Sequence, residues 1–267
     1  MNINVNYREL SGFSEFEACF LLQKELFNLS EKDVLPPIFI NLLTRENPRI
    51  GFALGAFKID DEREQLIGFI LATASHEANS LYGMITGIIP EFRKNGIGFG
   101  LFLALKEKAL MHNINTFYGI FDPMEGNLAN LYFKKLGMIA TNYEAEAFEL
   151  CDNKFPIDKV LLEWNLNSSK TESSLDLTYS RETSIEAKQK HQLITKNNKS
   201  KALKVMLEIP SDFILLKKQD LQKALEWRME IRELLIEYIN VRKYVVSDFY
   251  TRIINNKREN YYLLEKQ

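Results

Sequence analysis

The chain has 267 residues, 46% of them apolar, and 34 basic against 36 acidic residues give a formal net charge of −2. That is enough apolar sequence for one full core or two, with no global field favouring nucleic acid or an anionic membrane. Met1 to Asn6 lacks the basic-then-apolar order of a signal peptide, and no apolar run approaches the ~18 residues of a spanning helix, so a cytoplasmic location is expected.

Ile3 to Leu10 alternates as a short strand, and Phe16, Cys19 and Phe20 carry helical spacing through a helix from about Glu15 to Phe27. Pro36-Pro37 starts a second short helical piece, Pro37 to Thr44. Ile50 to Phe57 and Leu66 to Ala74 read as paired strands around the charged residues 60–64. The second of them is apolar without alternation, which predicts cover on both faces. Tyr82 to Ile89 is the next strand and Ile97 to about His112 the next helix. Thr116 to Phe121 is a strand that stops at Asp122-Pro123. A helix runs from Gly126 or Asn127 to Leu136-Gly137, with Gly137 as its C′ residue. Met138 to Tyr143 and Lys159 to Leu166 are extended.

From Asn167 to about Lys201 the composition turns to Ser, Thr, Asn and Lys, which predicts a linker or mobile arm. Residues 181–204 hold seven basic against two acidic side chains, a solvated segment or a local contact for RNA or anionic lipid. A strand at Ala202 to Ile209, a helix at about Asp220 to Asn240 and a hairpin of Tyr244–Tyr250 with Asn260–Leu264 complete the chain. The expected division is 1–167, a polar linker 168–201, and a smaller α+β extension 202–267 packing on the first unit.

Cys19 and Cys151, and His76, His112 and His191, fall at no metal-ligand spacing, so reduced thiols and no metal are expected. The chemistry concentrates where the strand Tyr82–Ile89 runs through a polar, Gly-containing turn into a helix. Such a turn leaves backbone N–H groups unpaired at the positive end of the helix dipole, where a phosphate or pyrophosphate fits. Gly-rich turns before helices serve nucleotides as well.

Arg93-Lys94-Asn95-Gly96-Ile97-Gly98, after an apolar strand ending in Pro90, resembles the acyl-CoA loop of the GNAT acyltransferase superfamily. The order of elements over 1–167 and the later Asn127-x-Ala129 with Lys134-Lys135-Leu136-Gly137-Met138 resemble it too. Phe121-Asp122-Pro123-Met124, together with Trp227-Arg228 and Arg232, resembles a little-characterised predicted GNAT group with an Asp-Pro-Leu element and a C-terminal extension. The resemblance implies an α/β fold with a mixed, mostly antiparallel sheet flanked by helices. It implies transfer of an acetyl or other acyl group from CoA to an amine, without a metal. The acceptor expected is a small molecule, and the oligomeric state stays open, a homodimer included.

By the same resemblance the pyrophosphate sits on residues 94–98 with Arg93 supplying charge. Ile88 and Ile89 pair with the pantetheine like an added strand, Asn127 and Lys134 lie near the cofactor, and Tyr82 contacts the acceptor. The superfamily tyrosine that protonates the leaving thiolate stands four residues before the Gly of Leu-Gly, where this chain has Phe133. Tyr132 is one step earlier, ~100° around a helix, so it is either the acid or a packed aromatic. The strand Tyr82–Ile89 holds no glutamate to act as base. Asp122 is the best-placed carboxylate, with a turn or cap role as its alternative. These departures leave open a catalytically silent CoA-binding module, and protein N-acylation as a third reading.

Arg228 and Arg232 fall one turn apart inside the apolar stripe formed by Leu221, Ala224, Leu225, Ile231, Leu235 and Ile239. Buried cations need partners. They form either a clamp for a substrate carboxylate or phosphate, or internal pairs with acids such as Glu146, Glu149 or Glu208.

Overall fold

The structure is a computed structural model that describes residues 3–60, 63–147, 155–168, 184–255 and 257–267. Cys151 and Glu149 lie outside those residues, as do 169–183 of the expected linker. The chain divides into two compact units, Met1–Tyr118 and Gly119–Gln267.

The first unit runs β1 (Val5–Glu9), α1 (Gly12–Phe27), α2 (Pro37–Leu43), β2 (Gly51–Asp60), β3 (Arg63–Ala74), β4 (Ser80–Ile88), α3 (Ile97–Met111) and the start of β5 (Thr116–Phe121). Strands β1 to β4 pair antiparallel in chain order, and β5 joins β4 in parallel. The unbroken apolar run of β3 has its explanation here, because Ile67 and Phe69 to Ala72 are all buried. The pleat sends alternate residues to opposite faces. Ala53, Phe69 and Leu71 join Phe16, Cys19, Leu22, Ile40 and Leu43 of α1 and α2 in one cluster. Phe52, Leu54, Ile70 and Ala72 turn the other way, and α3, which packs on β2 and β3, is the cover there. Cys19 lies inside the first cluster, where burial pushes its thiol up to about 12, leaving it a small apolar side chain.

The second unit takes the rest of β5, then α4 (Gly126–Ala129) continuing as a π-helical segment over Asn130–Lys135, β6 (Ile139–Glu144), β7 (Lys159–Asn165), α5 (Ser184–Lys190), β8 (Gln192–Ile194), β9 (Lys204–Ile209), α6 (Phe213–Gln219), α7 (Leu221–Leu235) extended by a π-helical segment over Ile236–Val241, β10 (Tyr244–Ile254) and β11 (Lys257–Lys266). Asp212 and Asp220 start α6 and α7 by accepting the N–H groups of Leu215 and Lys223, each at 2.9 Å. The strand order in this unit is β7-β6-β10-β11-β9-β8, antiparallel except for β8 beside β9.

The composition-based boundaries fall elsewhere than this division. Val246 pairs with Ala140, so the C-terminal strands extend the sheet that β6 and β7 begin. A two-stranded hairpin alone is marginal in water, which is the physical reason for the merger. Within the expected linker, 184–190 are helical and Gln192–Ile194 pairs with Val205–Leu207.

Candidate functional site

In the first unit, β4 leaves regular pairing twice. Gly83 and Ile85 face Ala72 and Leu71, so Met84 is an extra residue that bulges the strand. The ladder to β5 ends at Tyr82 and Tyr118, while β4 continues to Ile88. Tyr82, half-buried, stands on that last rung. Ile89 N–H already donates to Ile67 O at 2.9 Å, so it has no free amide for a pantetheine, whereas the carbonyl of Ile88 accepts from Arg93 Nε at 2.9 Å.

Beyond Pro90–Phe92 the chain turns through Lys94 (φ 65°) and Gly96 (φ 81°), and Gly96 takes the N-cap place of α3. Only glycine adopts that φ without cost, and a Cβ there would point into open space. The first helical bond is Gly100 N–H to Gly96 O at 2.9 Å, so the amides of Ile97, Gly98 and Phe99 precede the helical ladder. The Asn95 amide serves the turn itself, donating to Phe92 O and Arg93 O. Arg93, Lys94, Asn95 and Gly96 are exposed; Ile97 and Gly98 are buried.

In the second unit, the segment from Asp122 to Lys135 is held by residues far along the chain. Asp122 Oδ2 accepts from Arg228 Nη2 at 2.5 Å, and its Oδ1 accepts from Met124 N–H at 2.9 Å. The carboxylate is therefore a turn and an ion-pair partner, and the residue at the N-cap of α4 is Glu125. Tyr262 donates to Pro123 O at 2.5 Å, Arg258 Nη1 to Asn127 Oδ1 at 2.9 Å, and Lys134 Nζ to Asp248 Oδ2 at 3.1 Å. Gly126 sits so close to Asn260 that a Cβ would lie 2.5 Å from Asn260 Nδ2. Asn260 is fully buried and fixed by Pro210 O, Ser211 O and Thr251 Oγ1, so it cannot yield. Gly126→Ala is expected to cost about 1–3 kcal/mol as overpacking; a thermal midpoint equal to that of the wild type would contradict this.

The π-helical segment changes the reading of Tyr132. Leu136 N–H donates to Leu131 O at 3.0 Å, an i→i−5 bond that puts one more residue in the turn than an α-helix holds. Phe133 goes into the core, 2% exposed, against Phe121 and edge-on to Tyr262. Tyr132 is half-buried and packs edge-on to Phe121, with ring centroids 5.2 Å apart. Burial and the Glu125 carboxylate push its phenol well above the ordinary value, so it stays protonated at neutral pH.

The two arginines have acidic partners. Arg232 grips Asp158 with Nε at 3.0 Å and Nη2 at 2.7 Å, and reaches Glu146 with Nη1 at 3.0 Å. Asp158, fully buried, also accepts from Tyr143 Oη and Glu146 N–H. Burial alone would raise its pKa, but Arg232, Tyr143, the Glu146 amide and Arg228 together bring it below the usual carboxylate range. Arg228, 1% exposed, stacks 4.9 Å from the Phe213 ring centroid and lies 4.0 Å from Asp158 Oδ2; among the described residues its Nε and Nη1 find no hydrogen-bond acceptor. Sequence reasoning missed Asp158, and Glu208, one of its suggested partners, lies in β9 away from both guanidiniums' hydrogen bonds.

The sequence matches no protein-family model and no curated protein. Among solved structures, the chain is similar to the ribosomal-protein-S18-alanine N-acetyltransferase of Escherichia coli, at 11% identity over 67% of this chain and 100% of that one, with a TM-score of 0.48. It is similar to Arabidopsis thaliana NAA60 in complex with acetyl-CoA, at 16% identity over 62% and 100%, with a TM-score of 0.49. It is also similar to an acetyltransferase of the GNAT family from Streptococcus pneumoniae, at 16% identity over 61% and 99%, with a TM-score of 0.47. The order of elements from β1 to β6 is the one that the resemblance to the GNAT superfamily implies. Among the described residues, no group of three acidic, Cys or His side chains could hold a metal ion, and no helix is long and apolar enough to cross a membrane.

Proposed function

We propose that the protein transfers an acetyl or other acyl group from CoA to an amine of a small-molecule acceptor. The observation that carries this reading is the turn after β4. Positive φ at Lys94 and Gly96 opens α3 so that the amides before Gly100 N–H precede the helical ladder, as a pyrophosphate site requires. Arg93 and Lys94 supply charge there, with Asn95 bracing the turn and Ile97 and Gly98 contributing main chain. Ile88 and the amides around the Met84 bulge take the pantetheine and the thioester oxygen, and Asn127 and Lys134 are assigned to the cosubstrate. Tyr132, kept protonated, gives its proton to the leaving thiolate. Tyr82, Arg228 and Arg232 are assigned to the acceptor.

A second reading, a CoA-binding module without turnover, is favoured by Asp122. Its two oxygens already serve Arg228 and Met124 N–H, so it is poorly placed to take a proton from an amine. Calorimetry with acetyl-CoA and a thiol-release assay over an amine panel separate the two. Transfer to at least one amine is expected; tight acetyl-CoA binding with no transfer to any amine supports the silent module. Arg93→Glu is expected to weaken acetyl-CoA at least ~10-fold, by exchanging an attractive charge for a repulsive one. Unchanged affinity in a variant of unchanged melting temperature would remove the turn from the site.

A further inference from the structure

We infer that the corner formed by α6 and the first turn of α7 is a docking surface for an anionic lipid bilayer, entered by Ile214, Leu215 and Leu221 and held by Lys217, Lys218 and Lys223. The surface lies wholly within the second unit and is independent of the acyl-CoA reading. Between Ser211 and Lys223 only Phe213 is buried and only Leu216 half-buried; every other residue is exposed. The buried side of α6 is taken up by packing, with the Phe213 ring 5.8 Å from that of Phe155 and 4.9 Å from the Arg228 guanidinium. The segment therefore protrudes. It nevertheless keeps three large aliphatic side chains in water, Ile214, Leu215 and Leu221 being 55%, 48% and 53% exposed. Single exposed aliphatics are ordinary, whereas neighbouring ones on a protruding element mark a contact.

The charge around these side chains names the partner. Lys218 follows Ile214 by four residues and Leu215 by three, so it shares the outer face of α6 with both. Lys217 lies 4.3 Å over the Phe155 ring, and Lys223 stands in the first turn of α7. Among the described residues none of these three lysines has an ion-pair partner, whereas Lys24, Lys134, Lys199 and Lys204 each hold a carboxylate. The acids of the same segment are used as caps: Asp212 and Asp220 accept the N–H groups of Leu215 and Lys223. Glu226 accepts from Gln222 Nε2 at 3.3 Å. Protruding aliphatics beside unpaired lysines match the layers of an anionic bilayer, the aliphatics entering the acyl boundary and the ammonium groups staying at the phosphates. A protein partner or a second copy must offer a recess to receive such a corner; a deformable lipid surface needs none. The formal net charge of −2 gives no global field, so the attraction is local to this corner.

The test is co-sedimentation of the full chain with vesicles of phosphatidylcholine alone and with about 30% phosphatidylserine added. The wild type is expected to bind the anionic vesicles at least about 10-fold more tightly, and to lose that preference as added salt shortens the screening length. Ile214→Ser with Leu215→Ser should weaken binding to anionic vesicles at least about 10-fold, through lost apolar burial. Lys218→Gln with Lys223→Gln should weaken it by about 10-fold and leave little preference over neutral vesicles. All four side chains are exposed, so the urea midpoints should match the wild type, which separates lost docking from lost folding. No sedimentation of the wild type with anionic vesicles overturns the inference, as does binding that either pair of changes leaves unaltered. Self-association that Ile214→Ser with Leu215→Ser abolishes, without vesicle binding, would assign the corner to a second copy instead.

Discussion

Arg228→Ala is expected to destabilise the protein by about 3–5 kcal/mol, the cost of removing one partner from a buried ion pair and leaving the other charged. The side chain is 1% exposed, and it ties Asp122, on the turn after β5, to α7. The same guanidinium stands 4.0 Å from Asp158, which keeps Arg232 after the change, so the loss should come mainly from Asp122. Urea unfolding measures it directly. A double change, Arg228→Met with Asp122→Asn, should recover part of the loss, because it removes the orphaned charge and refills the space between Asp122 and Phe213. A loss under about 1 kcal/mol for Arg228→Ala would mean that the pair contributes no more than an exposed one. The cluster also makes stability depend on acid. Asp158 has a folded pKa below its unfolded value, so its contribution is fully present above about pH 4 and is lost as pH falls through the folded value. Asp158→Asn should flatten that acid limb.

These expectations show where the sequence was legible and where it was not. The run from Leu66 to Ala74 announced a strand covered on both faces, because burial on two sides removes alternation. The turn at Arg93–Gly98 was legible because a positive φ favours glycine at Gly96. The arginines of α7 stood out as cations inside an apolar stripe, and the need for partners followed from the cost of burying charge. Glu146, named from the sequence as one possible partner, does accept from Arg232, but the buried partners, Asp158 and Asp122, did not follow. Asp158 sits just before β7, after Phe155-Pro156-Ile157, with no periodic signal, and only tertiary packing brings Arg232 to it. Arg258 reaches Asn127 across 131 residues of sequence, a contact that no local pattern encodes. Strand β8 was hidden in a polar stretch because three residues beside β9 need no apolar alternation of their own.

Tyr132→Phe is expected to lower kcat for acyl transfer at least ~100-fold while leaving acetyl-CoA affinity within about twofold, the pattern of a lost general acid. The argument depends on the phase of one helix. In a continuous α-helix, a tyrosine five residues before Gly137 would be ~100° from the position four residues before it. The i→i−5 bond from Leu136 to Leu131 adds one residue to that turn and brings Tyr132 round towards the angle that Phe133 would otherwise hold. Phe133 is thereby sent between Phe121 and Tyr262. The exchanged pair, Tyr132→Phe with Phe133→Tyr, decides the point. An α-helical register predicts that moving the hydroxyl to 133 preserves or improves activity. The π-helical register predicts no rescue and a further loss of about 1–3 kcal/mol of stability, because the hydroxyl would be buried without a partner. The pH profile adds an independent check. Burial and Glu125 hold the Tyr132 phenol above its ordinary value, so the proton-donating form persists through the alkaline range, and no loss of kcat assignable to it should occur below about pH 10. An alkaline limb near pH 8 that vanishes in Tyr132→Phe would show an acidified phenol, contrary to this environment. Rescue by the exchanged pair would place the acid at 133 and return Tyr132 to the role of a packed aromatic.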